Sequence, residues 1–388
     1  MDHPIPPSEL SPELARVCGP TAPAPMKLMA SRGMMPMSSP VDLVTVLYML
    51  AHDDNETLRS GAVSTLDGLP VDVLGAGLSG DIDARVLDFA AERFRTREDV
   101  LVAILRNART ADDTVESVAF TAGESVLELI AANETRLLRA PRIIEALYLN
   151  RRTRMSTADR AIELAVRNGI VLGGIPAFRE IAAAIQGQLV AEADDEPTPD
   201  DMLFAATVAF EDDGEAYSDF DDGGGGFGDF DRIDSKETAR KRKGEDADDK
   251  RGKLGFQISQ MTVSQRARLS VVGNAAHRAL LLHDPNKLVA MAAIKSPSIT
   301  DQEVALISQS RSVSEDVIRH IADNREWTKS PIVKRNLVFN PKCPLGQSLR
   351  FLPHLRAPEL KALVGNKNVP QTLCTAARNI LQRRPGQG

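Results

Sequence analysis

Short apolar helical patterns in this chain are closed by small polar residues, most often Asn, at alternating long and short intervals, and no other feature restricts its fold as strongly. Ser296, Asn324, Asn340 and Asn366 fall 28, 16 and 26 residues apart, while Thr65, Ala91, Asn107, Asn133 and Asn150 fall 26, 16, 26 and 17 apart. The two halves also agree in letters, because Ala51-His52-Asp53-Asp54-Asn55 matches Leu282-His283-Asp284-Pro285-Asn286, and each phrase leads into a helix with Ala seven residues after the Asn (Ala62, Ala293). Phe94 and Trp327 each follow an anchor, Ala91 and Asn324, by three residues. A preference of Asn for left-handed backbone at helix ends explains the residue type but not the matched alternation. A self-similar period of this length marks stacked helical units, none of which buries its apolar face alone. The expected fold is all-α, with two tandem solenoid blocks.

Boundaries follow from composition. Residues 1–40, rich in Pro, Ser and Met, read as a mobile tail with one short helix around Glu9 to Val17 and without the basic-then-apolar layout of a secretory signal. Residues 41–190 form the first block. Leu43, Val46, Leu47 and Leu50 make a clear i, i+3, i+4, i+7 stripe, and later helices are expected over Ala84–Arg93, Arg97–Arg106, Thr114–Phe120, Glu124–Ala132, Pro141–Leu149, Thr157–Arg167 and Pro176–Ile185. Residues 191–253 carry 21 Asp plus Glu against 9 Lys plus Arg and the run Gly223–Gly226, a composition that cannot offset the cost of ordering its backbone. A disordered acidic linker is expected there, with Met202–Phe210 as a brief helix docked on the first block. Residues 254–384 form the second block. No stretch has the roughly 18 continuous apolar residues of a membrane span, and Cys18, Cys343 and Cys374 are too dispersed for a disulfide framework, which points to a reducing cytoplasm.

The phrase Val338-Phe339-Asn340-Pro341-Lys342-Cys343-Pro344, with short helices alternating on either side, resembles the leucine-rich-repeat variant and the wider HEAT-like class of helical repeats, including repeat domains of uncharacterised bacterial proteins. The resemblance covers nearly all of both blocks and implies a fold and a binding habit. It departs from those variant-repeat proteins that carry an iron–sulfur cluster, since three dispersed cysteines cannot hold one.

The motifs of the common enzymes are missing: there is no phosphate-binding Gly-x-x-x-x-Gly-Lys loop, no Gly-x-Ser-x-Gly elbow and no His-Glu-x-x-His. Glu128, Glu145 and Glu163 lie on separate helices and do not read as a carboxylate pair. His52, Asn55, Asn107, Asn133, Asn150, His283, Asn286, Asn324, Trp327, Asn340, Pro341 and Asn366 read as structural parts of the repeat. No catalytic residue, metal, cofactor or small-molecule substrate is expected. What remains is charge, since residues 254–388 hold 19 Lys plus Arg against 8 Asp plus Glu in a chain whose net charge is −7. Arg311, Arg319, Arg325, Lys329, Lys334, Arg335 and Lys342 cluster in sequence around Trp327, either as a basic stripe with an aromatic anchor or as ordinary exposed residues around a core Trp. The expected function is a non-catalytic protein-binding scaffold whose partner offers an acidic surface or peptide. Nucleic-acid binding ranks second, because aromatics for base stacking are scarce. The acidic linker is itself expected to associate transiently with the basic block.

Overall fold

The computed structural model describes residues 5–185, 196–210 and 252–383, and every regular element among them is helical. The chain divides into two compact units, Met1–Gly174 and Ile175–Gly388. No helix among the described residues is long and apolar enough to cross a membrane.

The first unit holds α1 (Pro12–Cys18), α2 (Ala24–Ser31), α3 (Pro40–Ala51), α4 (Glu56–Asp67), α5 (Val71–Ser79), α6 (Ala84–Arg93), α7 (Glu98–Arg106), α8 (Asp112–Thr121), α9 (Glu124–Ala131), α10 (Glu134–Arg139), α11 (Arg142–Leu149) and α12 (Met155–Arg167). Helices two apart in sequence pack together: α3 on α5, α5 on α7, α6 on α8 and α7 on α9. Aliphatic stripes drive this, with Val46, Leu47 and Leu50 of α3, Leu74 and Leu78 of α5, and Leu101 and Ile104 of α7 all at most 1% exposed. Gly77 lets α5 lie close against α3, since a Cβ there would meet Val44 Cγ2 at 2.7 Å and the Pro40 carbonyl at 2.9 Å.

Residues 5–39 are not a mobile tail. The helix expected near Glu9–Val17 is α1, and α2 lies on α3 and α4 with Ala30 and Ser31 fully buried. The Lys27 ammonium meets Asp53 at 2.8 Å, and the Thr65 hydroxyl donates to the Ser31 carbonyl at 2.6 Å. Burial works to raise the Asp53 pKa, but the Lys27 hydrogen bond and the Asn55 N–H prevail and hold it below the usual carboxylate range. Low local hydrophobicity signals mobility only where nothing else covers the segment, and here α3 and α4 supply the missing apolar surface.

The second unit holds α13 (Phe178–Ile185), α14 (Pro199–Val208), α15 over 252–260, α16 (Val263–Val272), α17 (Ala275–Leu281), α18 (Lys287–Ile294), α19 (Asp301–Gln309), α20 (Glu315–Asp323), α21 (Pro331–Phe339), α22 (Leu345–Phe351), α23 (Ala357–Val364) and α24 (Gln371–Arg383), with 3₁₀ turns at Trp327–Lys329 and Leu352–His354. Here α16 packs on α18, α18 on α20, α19 on α21 and α22 on α24. A buried ion pair ties α17 to α19, with Arg278 Nε and Nη2 donating to Glu303 Oε1 at 3.1 and 2.9 Å. Two placements differ from the expected boundaries. Helix α13 packs on α16 and α18 and so belongs to the second unit. Helix α14 forms where a brief helix was expected, and it docks on α16 of the second unit, where docking on the first block was expected. The remainder of the expected acidic linker, 191–195 and 211–251, lies outside the described residues, as does its expected association with the basic block.

Candidate functional site

Three of the Asn anchors make one and the same set of bonds. Each follows the last residue of its helix in extended backbone: Asn107 (φ −74°, ψ 126°), Asn150 (−76°, 123°) and Asn340 (−85°, 119°). They therefore do not exploit the left-handed tolerance that makes Asn common at helix ends. The side-chain amide instead donates backwards along the chain to two carbonyls at the end of an earlier helix. Asn107 Nδ2 reaches the Leu78 and Gly80 oxygens at 2.7 and 2.9 Å, Asn150 those of Ala119 and Ala122 at 2.8 and 3.3 Å, and Asn340 those of Ser308 and Ser310 at 2.9 Å each. Each side-chain oxygen accepts the N–H two residues on, at Arg109, Arg152 and Lys342. The last carbonyls of a helix have no intrahelical partner, and the clamp satisfies them while fixing α7 to α5, α11 to α8 and α21 to α19.

Further bonds keep the same register. Three residues after the clamp, Thr110 and Thr153 donate to the Ile104 and Leu147 carbonyls at 2.5 and 2.6 Å. Seven residues after it, Thr114 donates to Asp88 (2.8 Å), Thr157 to Glu128 (2.6 Å) and Gln347 to Asp323 (2.7 Å). The matched phrases behave alike as well: Asn55 and Asn286 cap α4 and α18, and Asp53 and Asp284 accept the N–H of those same Asn residues.

The other anchors act locally. Asn133 caps α10, Asn324 accepts the Glu326 and Trp327 N–H groups, and Asn366 accepts that of Asn368. Pro341 is an exposed residue of the turn that follows the Asn340 clamp. His52 is half-buried, bonded to the Tyr48 carbonyl through Nδ1, tilted against the Tyr48 ring and edge-on to Phe89, whereas His283 is exposed and meets Ser312 Oγ at 3.1 Å. The histidines share a position but not an environment. Trp327 is half-buried and edge-on to His320 with ring centroids 5.8 Å apart, while Phe94 is 4% exposed.

The basic residues divide in two respects. Asn340 places the end of α21 beside the end of α19, so α20, joined to both by short connections, runs the opposite way. Arg311 and Lys342 consequently lie at one end of this helix group, Arg325 and Lys329 at the other, and Arg319, Lys334 and Arg335 on the helices between. They also differ in employment. Arg319 pairs with Glu315 (2.7 Å), Lys329 with Glu326 (2.6 Å) and Arg335 with Glu359 (3.7 Å), while Lys342 Nζ donates to the Ser312 and Val313 carbonyls. Arg311, Arg325 and Lys334 have no ion-pair partner among the described residues. Exposed apolar side chains accompany them on α21 and α22, namely Ile332, Leu345 and Leu349.

An open cleft of about 320 Å³ lies between α6, α7 and α8. Its carboxylates are already engaged, Asp88 by Thr114 and Glu92 by Arg95 at 3.9 Å. Glu128, Glu145 and Glu163 bond separately, to Thr157, to the Gly174 N–H and to Arg167. Among the described residues no group of three or more His, Cys, Asp and Glu side chains is placed to hold a metal ion. Compared with protein-family models, curated proteins and solved structures, the chain matches none.

Proposed function

We propose that the chain is a non-catalytic interaction scaffold built from two blocks of stacked helical repeats, of the leucine-rich-repeat-variant or HEAT-like kind it resembles, working in a reducing compartment such as the cytoplasm. The observation that carries this reading is the Asn clamp. It recurs at Asn107, Asn150 and Asn340, in both units, always joining a helix to an earlier one through the carbonyls 27 to 32 residues upstream. A bond that repeats at the spacing of the unit is how a solenoid holds its units in register. In this reading the partner is a protein with an acidic surface, met by Arg311, Arg325 and Lys334, which have no ion-pair partner among the described residues, and by the exposed Ile332 and Leu345.

A photo-crosslinker placed at Ile332 tests this. Specific protein adducts are expected from native extract, and they should be lost in the folded R311E/R325E/K334E variant. Adducts unchanged by the triple substitution, or a purified chain whose absorbance ratio reveals bound nucleic acid, would overturn the protein-partner assignment.

A further inference from the structure

Helices α8 and α12 each follow an Asn clamp, and side chains at matching distances from Asn107 and Asn150 line two versions of one groove. Seven residues after the clamp stands a buried threonine, whose hydroxyl donates to one oxygen of a carboxylate on an earlier helix: Thr114 to Asp88 Oδ1 at 2.8 Å, and Thr157 to Glu128 Oε1 at 2.6 Å. Ten residues after it the two grooves part. Helix α12 carries Arg160, whose Nη2 donates to Thr157 Oγ1 at 3.0 Å and lies 3.5 Å from Glu128 Oε2. Helix α8 carries Ser117 at that position, and there the groove is the open cleft of about 320 Å³. In the second unit the position again holds an arginine, Arg350, whose guanidinium lies over the Phe351 ring at 5.8 Å.

The first groove thus keeps the carboxylate and the hydroxyl and lacks the cation. Thr114 brings no charge to the half-buried Asp88, which has no ion-pair partner among the described residues. Arg95 also lines the cleft, but it is turned to Glu92, donating to its carbonyl at 3.2 Å and standing 3.9 Å from its carboxylate. Apolar surface from Ala91, Leu101 and Val118 suits the methylenes of a long side chain, and the Ser117 and Thr121 hydroxyls add acceptors. A planar guanidinium, with donors in a fixed fork, can serve a carboxylate and hydroxyls at once, whereas an ammonium is a compact point charge. Phe120, beside Thr121, is 46% exposed and offers apolar contact to residues flanking such a side chain.

We propose that the α6–α8 cleft is a docking site for an arginine side chain of a partner protein, held by Asp88 as Arg160 is held by Glu128. The chemistry is read from the chain itself, since the neighbouring groove shows a guanidinium on the same carboxylate–hydroxyl pair. This site lies in the first unit, so it goes beyond the acidic-partner reading and would stand even if Arg311, Arg325 and Lys334 bound nothing.

The test uses the full chain and isothermal titration with the capped peptide acetyl-Leu-Arg-Leu-amide, its Lys counterpart and free agmatine. The Arg peptide should bind more tightly than the Lys peptide. Ser117→Arg, which supplies the guanidinium in cis, and Asp88→Asn, which keeps an acceptor for Thr114, should each weaken it at least about tenfold, as expected for loss of a hydrogen bond between charged groups. Asp72→Asn, which removes an exposed carboxylate of α5 outside the cleft, should leave the affinity unchanged. No binding at about millimolar peptide, equal affinity in the unaltered chain and both cleft variants, or an equal loss in Asp72→Asn would overturn the proposal. Equal affinity for the Arg and Lys peptides would overturn the assignment to arginine, and agmatine binding as tightly as the Arg peptide would overturn the assignment to a protein.

Discussion

Replacing Asn340 with Ala removes two donors and one acceptor from a site only 4% exposed. The Ser308 and Ser310 carbonyls lose their side-chain partner, and the Lys342 N–H loses its acceptor. A typical hydrogen bond contributes about 1 kcal/mol net, and a buried polar group left unsatisfied costs about 1–3 kcal/mol, so the substitution should destabilise the α19–α21 region by roughly 2–4 kcal/mol. Asp has nearly the same shape but sets acceptors against acceptors, so Asn340→Asp should cost at least as much. Asn133 is the control, because it is exposed and caps α10 alone, and its replacement by Ala should cost about 1 kcal/mol. A chain of two units does not unfold as a single two-state system, so the readout is native-state hydrogen exchange resolved by segment. Amides of α19 and α21 should exchange roughly 30- to 700-fold faster in Asn340→Ala, the range that 2–4 kcal/mol implies. The same position in the preceding helical unit offers an internal contrast. Ser296 takes the place of the Asn, and its buried Oγ has no hydrogen-bond partner among the described residues, so Ser296→Ala should be neutral or slightly stabilising. If Asn340→Ala proves no more costly than Asn133→Ala, the clamp is a consequence of packing and does not hold it.

Two further outcomes follow from titrating groups. Burial, reinforced by the nearby Lys295 ammonium and opposed by Glu180 and Asp323, holds His320 below its ordinary value of 6.5. The unfolded chain therefore binds this proton more readily. Stability should be complete above about pH 6.5 and fall as the pH drops toward the folded-state value, and His320→Gln, followed by chemical denaturation across pH 5–8, should flatten that part of the profile. A slope unchanged by the substitution would show that another group is responsible. Burial likewise pushes the Cys18 thiol up to about 11, so native Cys18 should resist iodoacetamide at pH 8 while the denatured chain reacts readily, a contrast measurable by mass spectrometry. Equal rates in the two states would contradict the burial of α1.

Helical periodicity is a local property, and much of it could be read directly. Ala84–Arg93 is helical over the expected residues, and α7, α9 and α11 begin and end within one residue of expectation. Helix α5 was less legible, because Val71–Ser79 contains Gly75 and Gly77, and the reason for Gly77 lies in α3, more than twenty residues upstream. The Asn anchors stood out by spacing alone, but their task did not. A clamp is defined by its acceptors, and those carbonyls belong to helices that only stacking brings near.

The amino-acid sequence by itself determined the all-helical class, the positions of Asn107, Asn150 and Asn340, and the concentration of positive charge after residue 254. Each of these depends on neighbouring residues or on composition. Tertiary structure alone decided that residues 5–39 are packed, that α14 lies on α16, and that Lys342 holds a turn while Arg311, Arg325 and Lys334 have no ion-pair partner among the described residues. Those outcomes depend on which surface is close enough to exclude water from a segment or to accept its hydrogen bonds, and that proximity arises only when the helices stack.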